Sequence, residues 1–215
     1  MNAKHIELLD QAKAHFAADM LLKGTYGNDE DSEFRGCSVG CHVHHIKAGM
    51  TADEVDYLPN KHKIVAEYYE YPEWLALLQD TIFEGLPNGD SAKWHVQMAE
   101  AIASRNGTIN WQETLHRVHI AILRLSYVTA GEAKSVVQSV IDLHNKAARG
   151  EGVEDKDWSA AESAAWSAAW SAAWSAAWSA AWSAAESAAE SAAKSAAYQE
   201  IRDAVLDVLS GKPQA

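Results

Sequence analysis

The residues best suited to chemistry lie in one short segment, Phe34–His45, which reads FRGCSVGCHVHH and holds both cysteines of the chain and three histidines. If this segment is helical, Cys37, Cys41, His44 and His45 follow the spacing i, i+4, i+7 and i+8 and share one face. Thiolates and imidazoles are the ligands that zinc takes in tetrahedral geometry. The spacing therefore predicts a zinc site at these four residues.

Other interpretations of the segment stay open. In an extended chain, Cys37, Cys41 and His45 would share one side, which still allows a partial site. The C-x3-C spacing differs from the usual C-x2-C zinc knuckle, and the chain has no second cysteine pair. Without metal, the two cysteines are expected to pack as small apolar groups beside Val39 and Val43. A redox-active or nucleophilic thiol beside an imidazole is the third possibility.

Two further pairs of residues have spacings known from catalytic or metal sites. Glu113 and His116 match the E-x-x-H ligand pair of helical di-iron sites, with His119 one turn later. The chain has no second E-x-x-H pair, so we expect both histidines to be polar members of a mostly buried helix. Asp80 and Glu84 lie one turn apart and are expected on a solvated face, with general acid–base catalysis as the alternative.

Several sequence motifs of common enzymes are missing or incomplete. Residues 36–40 fit the letters of G-x-S-x-G, but a polar loop precedes them where a nucleophile elbow needs a buried strand, so Ser38 is not expected to be a nucleophile. P-loop, dinucleotide-binding and H-E-x-x-H motifs are absent from the sequence. His62 is the residue outside the cysteine/histidine segment that we expect to contribute to a site there.

Helical periodicity supplies the elements that would position these residues. A first helix is predicted over 4–22, ended by Gly24, with its apolar stripe at Ile6, Leu9, Ala12, Phe16 and Met20. Capping and proline signals predict five more helices: from Thr51 with a Thr51/Glu54 capping box, from Asn60, from Glu73 after Pro72 to Glu84, from Asp90 or Ser91 through Ala103, and from Asn110 to Val128. A further helix is predicted over Glu132–Ala148.

The C-terminal part of the chain is a tetrapeptide array, x-Ser-Ala-Ala, which runs from Trp158 to Tyr198. Its alanine content indicates helix. Four residues overshoot one helical turn by about 40°, so successive aromatic residues would form a right-handed spiral. The aromatic positions are Trp158, Trp166, Trp170, Trp174, Trp178, Trp182 and Tyr198.

Three roles for the array remain open. Indoles in such number would form a large apolar patch if exposed, so we expect the array to pack against a partner helix, in this chain or in a second copy. Ser163–Ala185 is free of charge and long enough to cross a bilayer, but its indoles do not collect at the ends and its flanks are acidic, so a membrane span is not favoured. The array could also be a replication-slippage expansion without a partner.

Composition narrows the class of partner. The formal net charge of −12 argues against direct nucleic-acid binding, which depends on lysine and arginine. An acidic surface could instead occupy the nucleic-acid site of a host protein as an inhibitor. The N-terminal residues lack the apolar core of a secretory signal, so a cytoplasmic location is expected.

Two segments carry a resemblance to known sequences. Residues 35–41, RGCSVGC, and residues 72–87, PEWLALLQDTIFEGLP, followed by a Ser/Ala/Trp tail, resemble a group of uncharacterised bacterial and phage-borne proteins. The resemblance covers most of the chain and implies a phage or mobile-element context, in which small acidic proteins often bind host or phage components. It supplies no catalytic residues.

Together these observations predict an all-α protein: a compact helical domain over residues 1–150, an acidic linker over 151–157 and a long repeat helix over 158–210. The leading functional hypothesis is a non-enzymatic binding or assembly protein that works through the repeat helix, with zinc as the possible cofactor. The alternative is a metal-dependent hydrolase, or another small-molecule enzyme, built on the histidine-rich helices.

Overall fold

A computed structural model describes residues 2–29, 33–105, 108–129, 133–161, 163 and 186–212 of the chain. These residues are mostly helical and include two isolated β-bridges but no strand, which confirms the all-α class. The named helices are α1 (Ala3–Ala17), α2 (Ser38–Ile46), α3 (Ala52–Tyr57), α4 (Lys61–Tyr69), α5 (Glu73–Gly85), α6 (Asn88–Ala103), α7 (Trp111–Thr129), α8 (Lys134–Ala148) and α9 (Glu186–Leu209).

The chain divides into two compact units. The first comprises residues 1–109 and 209–212, and the second comprises residues 110–208 and 213–215. Most of the cysteine/histidine chemistry lies in the first unit, on helices α1 to α6. The predicted boundary at residues 151–157 stays a prediction.

Several helix starts follow their local sequence signals. Thr51 and Glu54 form the predicted capping box, in which the Thr51 side chain accepts from the Glu54 backbone N–H and the Glu54 side chain accepts from that of Thr51. Pro72 precedes α5 as predicted, and the Asn110 side chain accepts a hydrogen bond from the Glu113 backbone at the start of α7. Asn60 occupies the position before α4 in a left-handed conformation, with φ 58°, and its side chain makes no capping hydrogen bond.

Two predicted boundaries are wrong. Helix α6 begins at Asn88, before Asp90 and Ser91, because Pro87 is the extended N-cap residue and its carbonyl accepts hydrogen bonds from the backbone N–H groups of Asp90 and Ser91. Helix α1 ends at Ala17, five residues earlier than predicted, because Asp19 adopts a left-handed conformation and the chain turns to form a β-bridge between Leu21 and Gly36.

The buried face of α1 also differs from the predicted stripe. Leu8 and Ala12 are fully buried and His15 is 4% exposed, whereas Phe16 is 47% exposed. The helix is therefore rotated relative to the prediction, and it turns a histidine, not a phenylalanine, into the core.

A close backbone contact fixes the position of α2. A Cβ atom added at Gly40 would lie 1.8 Å from the carbonyl oxygen of Tyr26, so glycine at position 40 lets the 24–28 loop lie against the helix. The backbone N–H of Cys37 donates to the carbonyl of Thr25 at 2.7 Å. These contacts place Cys37 and Ser38, at the start of α2, beside the loop.

The second unit contains the packed helix pair α7 and α8, a helical segment over residues 155–161, and most of α9. Trp158 and Tyr198, at the two ends of the array, are half-buried. Trp166, Trp170, Trp174, Trp178 and Trp182 lie outside the described residues, so the predicted repeat packing is not tested. Within the described part of the chain, none of the helices is long and apolar enough to cross a membrane.

Candidate metal centre

Three histidines from three different helices meet in the core of the first unit. His15 lies on α1, His42 on α2 and His95 on α6, and each offers one ring nitrogen within 4.8 Å of the other two. The three residues are 4%, 0% and 1% exposed, respectively. Neutral imidazoles gathered in this way are suitable ligands for zinc and related divalent ions.

The spacing of the ring nitrogens is close to that of bound ligands. His15 Nδ1 lies 3.2 Å from His95 Nε2. In a tetrahedral site with metal–nitrogen bonds of 2.0–2.1 Å, two ligand nitrogens are about 3.3 Å apart. Because the two distances are so similar, this pair could accommodate an ion with little movement. Without an ion, a separation of 3.2 Å is that of a hydrogen bond between two neutral imidazoles.

Hydrogen bonds on the far side of the rings hold them in place. His95 Nδ1 lies 2.7 Å from Ser38 Oγ, and His42 Nδ1 lies 3.2 Å from the hydroxyl of Tyr69. Such outer partners fix the orientation of metal-binding histidines and leave the opposite nitrogen for the ion. The ring nitrogens that this arrangement leaves for an ion are His95 Nε2 and His42 Nε2.

A second layer of buried polar groups fixes Ser38. Gln79 Nε2 donates to Ser38 Oγ at 2.5 Å, and the Tyr71 hydroxyl donates to Gln79 Oε1 at 2.9 Å. The indole N–H of Trp94 donates to the backbone carbonyl of Gln79 at 3.0 Å. Because a buried polar network is costly when incomplete, this chain of bonds strongly specifies the positions of Ser38 and His95.

His42 Nε2 is the exception in this network. It is buried, and it has no hydrogen-bond partner among the described residues. An unsatisfied buried polar group costs about 1–3 kcal/mol. This nitrogen belongs to a ring whose centroid lies 4.7 Å from that of His95 and 5.2 Å from that of His15.

The electrostatic environment keeps all three histidines neutral near pH 7. Burial lowers the pKa of His15 to about 4, and the imidazoles of His45 and His44 act in the same direction. Burial also lowers the pKa of His42 and of His95 well below the usual value, and the neighbouring histidines add to this effect. Neutral rings have lone pairs that are available to a metal ion.

No family model, curated protein or solved structure matches the chain. The resemblance to phage-borne proteins therefore stays a prediction, and the assignment of function depends on the geometry of the sites.

A pocket of about 490 Å³ is lined in part by the same backbone segments. Its lining includes Tyr26, Cys37, Asp56, Asp80 and Glu84. Cys37 and Asp80 are the direct chain neighbours of Ser38 and Gln79, which support the histidine cluster. In each of these two pairs, one residue lines the pocket and its chain neighbour supports the cluster.

Asp80 is the central side chain of this pocket. Its Oδ2 accepts hydrogen bonds from the Tyr26 hydroxyl at 2.9 Å and from His62 Nε2 at 3.0 Å, while its Oδ1 is buried without a partner among the described residues. Burial acts to raise the pKa of Asp80, but the hydrogen bonds from His62, Cys37 and Tyr26 outweigh it and lower the pKa below the ordinary value. The carboxyl group is therefore ionised near pH 7.

Cys37 contributes a protonated thiol to the pocket. Burial raises its pKa well above the usual value, and the negative charge of Asp80 acts in the same direction. Cys37, Asp80 and Glu84 also bring their ligand atoms within 4.8 Å of one another. Glu84 is held in place by the backbone N–H of Gly24, at 3.1 Å and 3.2 Å from its two oxygens.

The structure places the four predicted zinc ligands in separate surroundings. Cys37 is the N-cap of α2, and the thiol of Cys41 donates to backbone carbonyls at 3.4 Å. The His44 ring stacks on Phe34 at 3.8 Å, and His45 Nε2 lies 3.9 Å from a Glu7 carboxylate oxygen. Both cysteines are buried, as expected for the alternative in which they pack as apolar groups. The four-ligand site stays a prediction.

Sequence reasoning missed His15 and His95. Leu8, Ala12 and His15 follow one another at spacings of four and three residues. Met98 and Ile102 lie three and seven residues after His95. These spacings place each histidine on a buried helix face, which was the available signal. The predicted histidines His116 and His119 meet His144 in a separate cluster of the second unit.

Proposed function

We propose that this protein binds a divalent transition metal, zinc before others, through His15, His42 and His95. The observation that carries the proposal is the buried Nε2 atom of His42, which has no hydrogen-bond partner among the described residues and belongs to a cluster of three neutral imidazoles. A metal ion would satisfy this nitrogen and use the existing spacing of His15 and His95. From the sequence, zinc was a possible cofactor on the other ligands Cys37, Cys41, His44 and His45.

The position of the cluster indicates what such an ion would do. Three protein ligands leave one position of a tetrahedron for water or a small anion. Because each of the three histidines is at least 96% buried, a large substrate cannot reach the ion without movement of the helices. The ion would therefore join α1, α2 and α6 and stabilise the first unit, since metal affinity for the folded state adds directly to folding free energy.

The test compares two variants of the same helix. His42→Gln removes a ligand of the proposed cluster, while His44→Gln removes a ligand of the site predicted from sequence. Elemental analysis of the purified protein should show the ion in the native chain and in His44→Gln, and its loss in His42→Gln. Loss in His44→Gln with retention in His42→Gln would instead favour the cysteine/histidine site.

A second readout keeps the test valid if His42→Gln folds poorly. The native protein is stripped with a chelator and refilled with cobalt, whose visible absorption distinguishes tetrahedral nitrogen ligation from thiolate ligation. We expect nitrogen ligation without a thiolate charge-transfer band. A folded native protein that takes up no cobalt or zinc would overturn the proposal.

The pocket supports a second candidate function, a small-molecule enzyme. Asp80 and Glu84, for which acid–base catalysis was the alternative to the expected solvated face, both line the pocket. His62 and Tyr26 share a hydrogen-bond network with Asp80, so a proton could pass between these groups and a bound substrate. The three carboxylates Asp56, Asp80 and Glu84 favour a cationic substrate.

Screening for hydrolysis tests this candidate. A panel of amide, ester and phosphate-ester substrates that carry an amino group is assayed with the native protein, Asp80→Asn and the exposed control Asp53→Asn. Turnover that falls about a hundredfold only in Asp80→Asn supports the candidate. No turnover in the native protein, or equal rates in both variants, removes it.

Assembly through the repeat helix remains a proposal that rests on the sequence of the array. The stretch that carries its central tryptophans lies outside the described residues, so its support is the apolar spiral that the indoles would form on a helix. The partner would be a second copy of the chain or another protein.

A further inference from the structure

A second histidine cluster lies in the second unit, where the helices α7 and α8 pack together. His116 and His119 are one turn apart on α7, and His144 faces them from α8; their ligand nitrogens all lie within 4.8 Å of one another. Unlike the buried cluster of the first unit, this one is accessible, because His119 is exposed and the other two rings are half-buried.

The distances within the cluster suit an ion. His116 Nδ1 lies 3.0 Å from His144 Nδ1, close to the separation of about 3.3 Å between two nitrogens on one tetrahedral ion. The ring centroids of His119 and His144 are 4.7 Å apart. An ion between the three rings would require only small side-chain rotations, and His119 has room to rotate because it is exposed.

Trp158 lies against the same rings. Its indole is nearly parallel to His116, with centroids 6.2 Å apart and planes at 12°, and it meets His144 edge-on at 4.9 Å. Trp158 is also the first aromatic residue of the tetrapeptide array. The cluster is therefore in direct contact with the residue at which the array begins.

We propose that His116, His119 and His144 form an accessible site for a divalent transition metal that fixes the start of the tetrapeptide array against α7 and α8. The ion has three nitrogen ligands from the protein and keeps its remaining positions for water or an outside donor. By linking two helices beneath Trp158, it restrains the indole and the segment that follows. This site is independent of the buried cluster in the first unit.

Nickel titration of the metal-stripped full-length chain tests the site, with calorimetry as the readout. His119→Gln and His144→Gln each remove one ligand, and Gln112→Ala, an exposed substitution on α7, is the control. We expect the first two variants to lose about tenfold or more in nickel affinity and the control to bind as the native protein does. Because His119 is exposed, its substitution should leave the fold intact.

Fluorescence gives a readout specific to Trp158. Copper bound at the cluster should quench this indole, so the quenching in Trp158→Phe should be smaller than in the native chain by the contribution of one tryptophan. His42→Gln should retain this quenching, which separates the site from the buried cluster. Nickel affinity and copper quenching that are the same in His119→Gln and His144→Gln as in Gln112→Ala would overturn the proposal.

Discussion

Substitution of Gln79 by leucine should destabilise the first unit mainly through lost hydrogen bonds. Leucine has nearly the volume of glutamine, so little cavity or overpacking energy is expected. The change removes the donor to Ser38 and the acceptor of the buried Tyr71 hydroxyl. The Trp94 bond to the backbone carbonyl of residue 79 remains.

The magnitude follows from the number of buried groups left without partners. Each buried polar group that loses its partner costs about 1–3 kcal/mol. Ser38 keeps its bond to His95, so it contributes at the low end, while the Tyr71 hydroxyl is fully buried and contributes more. We expect a total loss of about 2–4 kcal/mol in the free energy of unfolding, measured by urea denaturation with circular dichroism.

A double-mutant cycle separates this mechanism from a general packing defect. Tyr71→Phe should cost about 1–2 kcal/mol in the native background, because it leaves Gln79 Oε1 without a donor. In the Gln79→Leu background it should cost close to nothing, since the hydroxyl it removes is already unpaired. Energies that add to within about 0.5 kcal/mol would refute the hydrogen-bond explanation.

Three other predictions concern acid stability, backbone contact and assembly. The free energy of unfolding of the metal-stripped protein should fall by about 2 kcal/mol between pH 7 and pH 5 because of His15 alone. The folded state lowers the pKa of His15 from 6.5 to about 4, so its contribution to stability is present above pH 6.5 and is lost as the pH falls toward 4. Denaturation of His15→Gln at both pH values should show a smaller fall than that of the native protein. Gly40→Ala should lower the melting temperature sharply, since its Cβ would lie 1.8 Å from the Tyr26 carbonyl oxygen, whereas Gly89→Ala, with nothing within 4 Å, should leave it unchanged or raise it. Light scattering should give a mass above one chain for the native protein and the mass of one chain for Trp174→Ser combined with neighbouring tryptophan changes; a native monomer with quenchable indoles would contradict assembly.

Local sequence signals were sufficient for most of the helices. The Thr51/Glu54 capping box, Pro72 and Asn110 act on the nearest turn of backbone, so their effect does not depend on the rest of the fold. The end of α1 could not be obtained in this way, because it depends on a β-bridge between Leu21 and Gly36.

The candidate sites were much harder to obtain from sequence. His15 and His95 are 80 residues apart, and no spacing rule connects ligands on different helices. The dense segment Phe34–His45 contains His42 on α2, but His42 joins the cluster through neighbours that lie on α1 and α6. Asp80 and Glu84 were recognised as a pair, although their pocket depends on the loop that carries Tyr26.

The two adjacent pairs Cys37–Ser38 and Gln79–Asp80 connect the lining of the pocket to the side chains that support the histidine cluster. A ligand that moves Cys37 or Asp80 acts across one peptide bond on the side chains that orient His95. If an ion in the cluster raises the affinity of the pocket for its ligand by some factor, the ligand raises the affinity of the cluster for the ion by the same factor. Coupling between the two proposed sites would therefore show as a change in the affinity of the cluster for an ion when a ligand occupies the pocket.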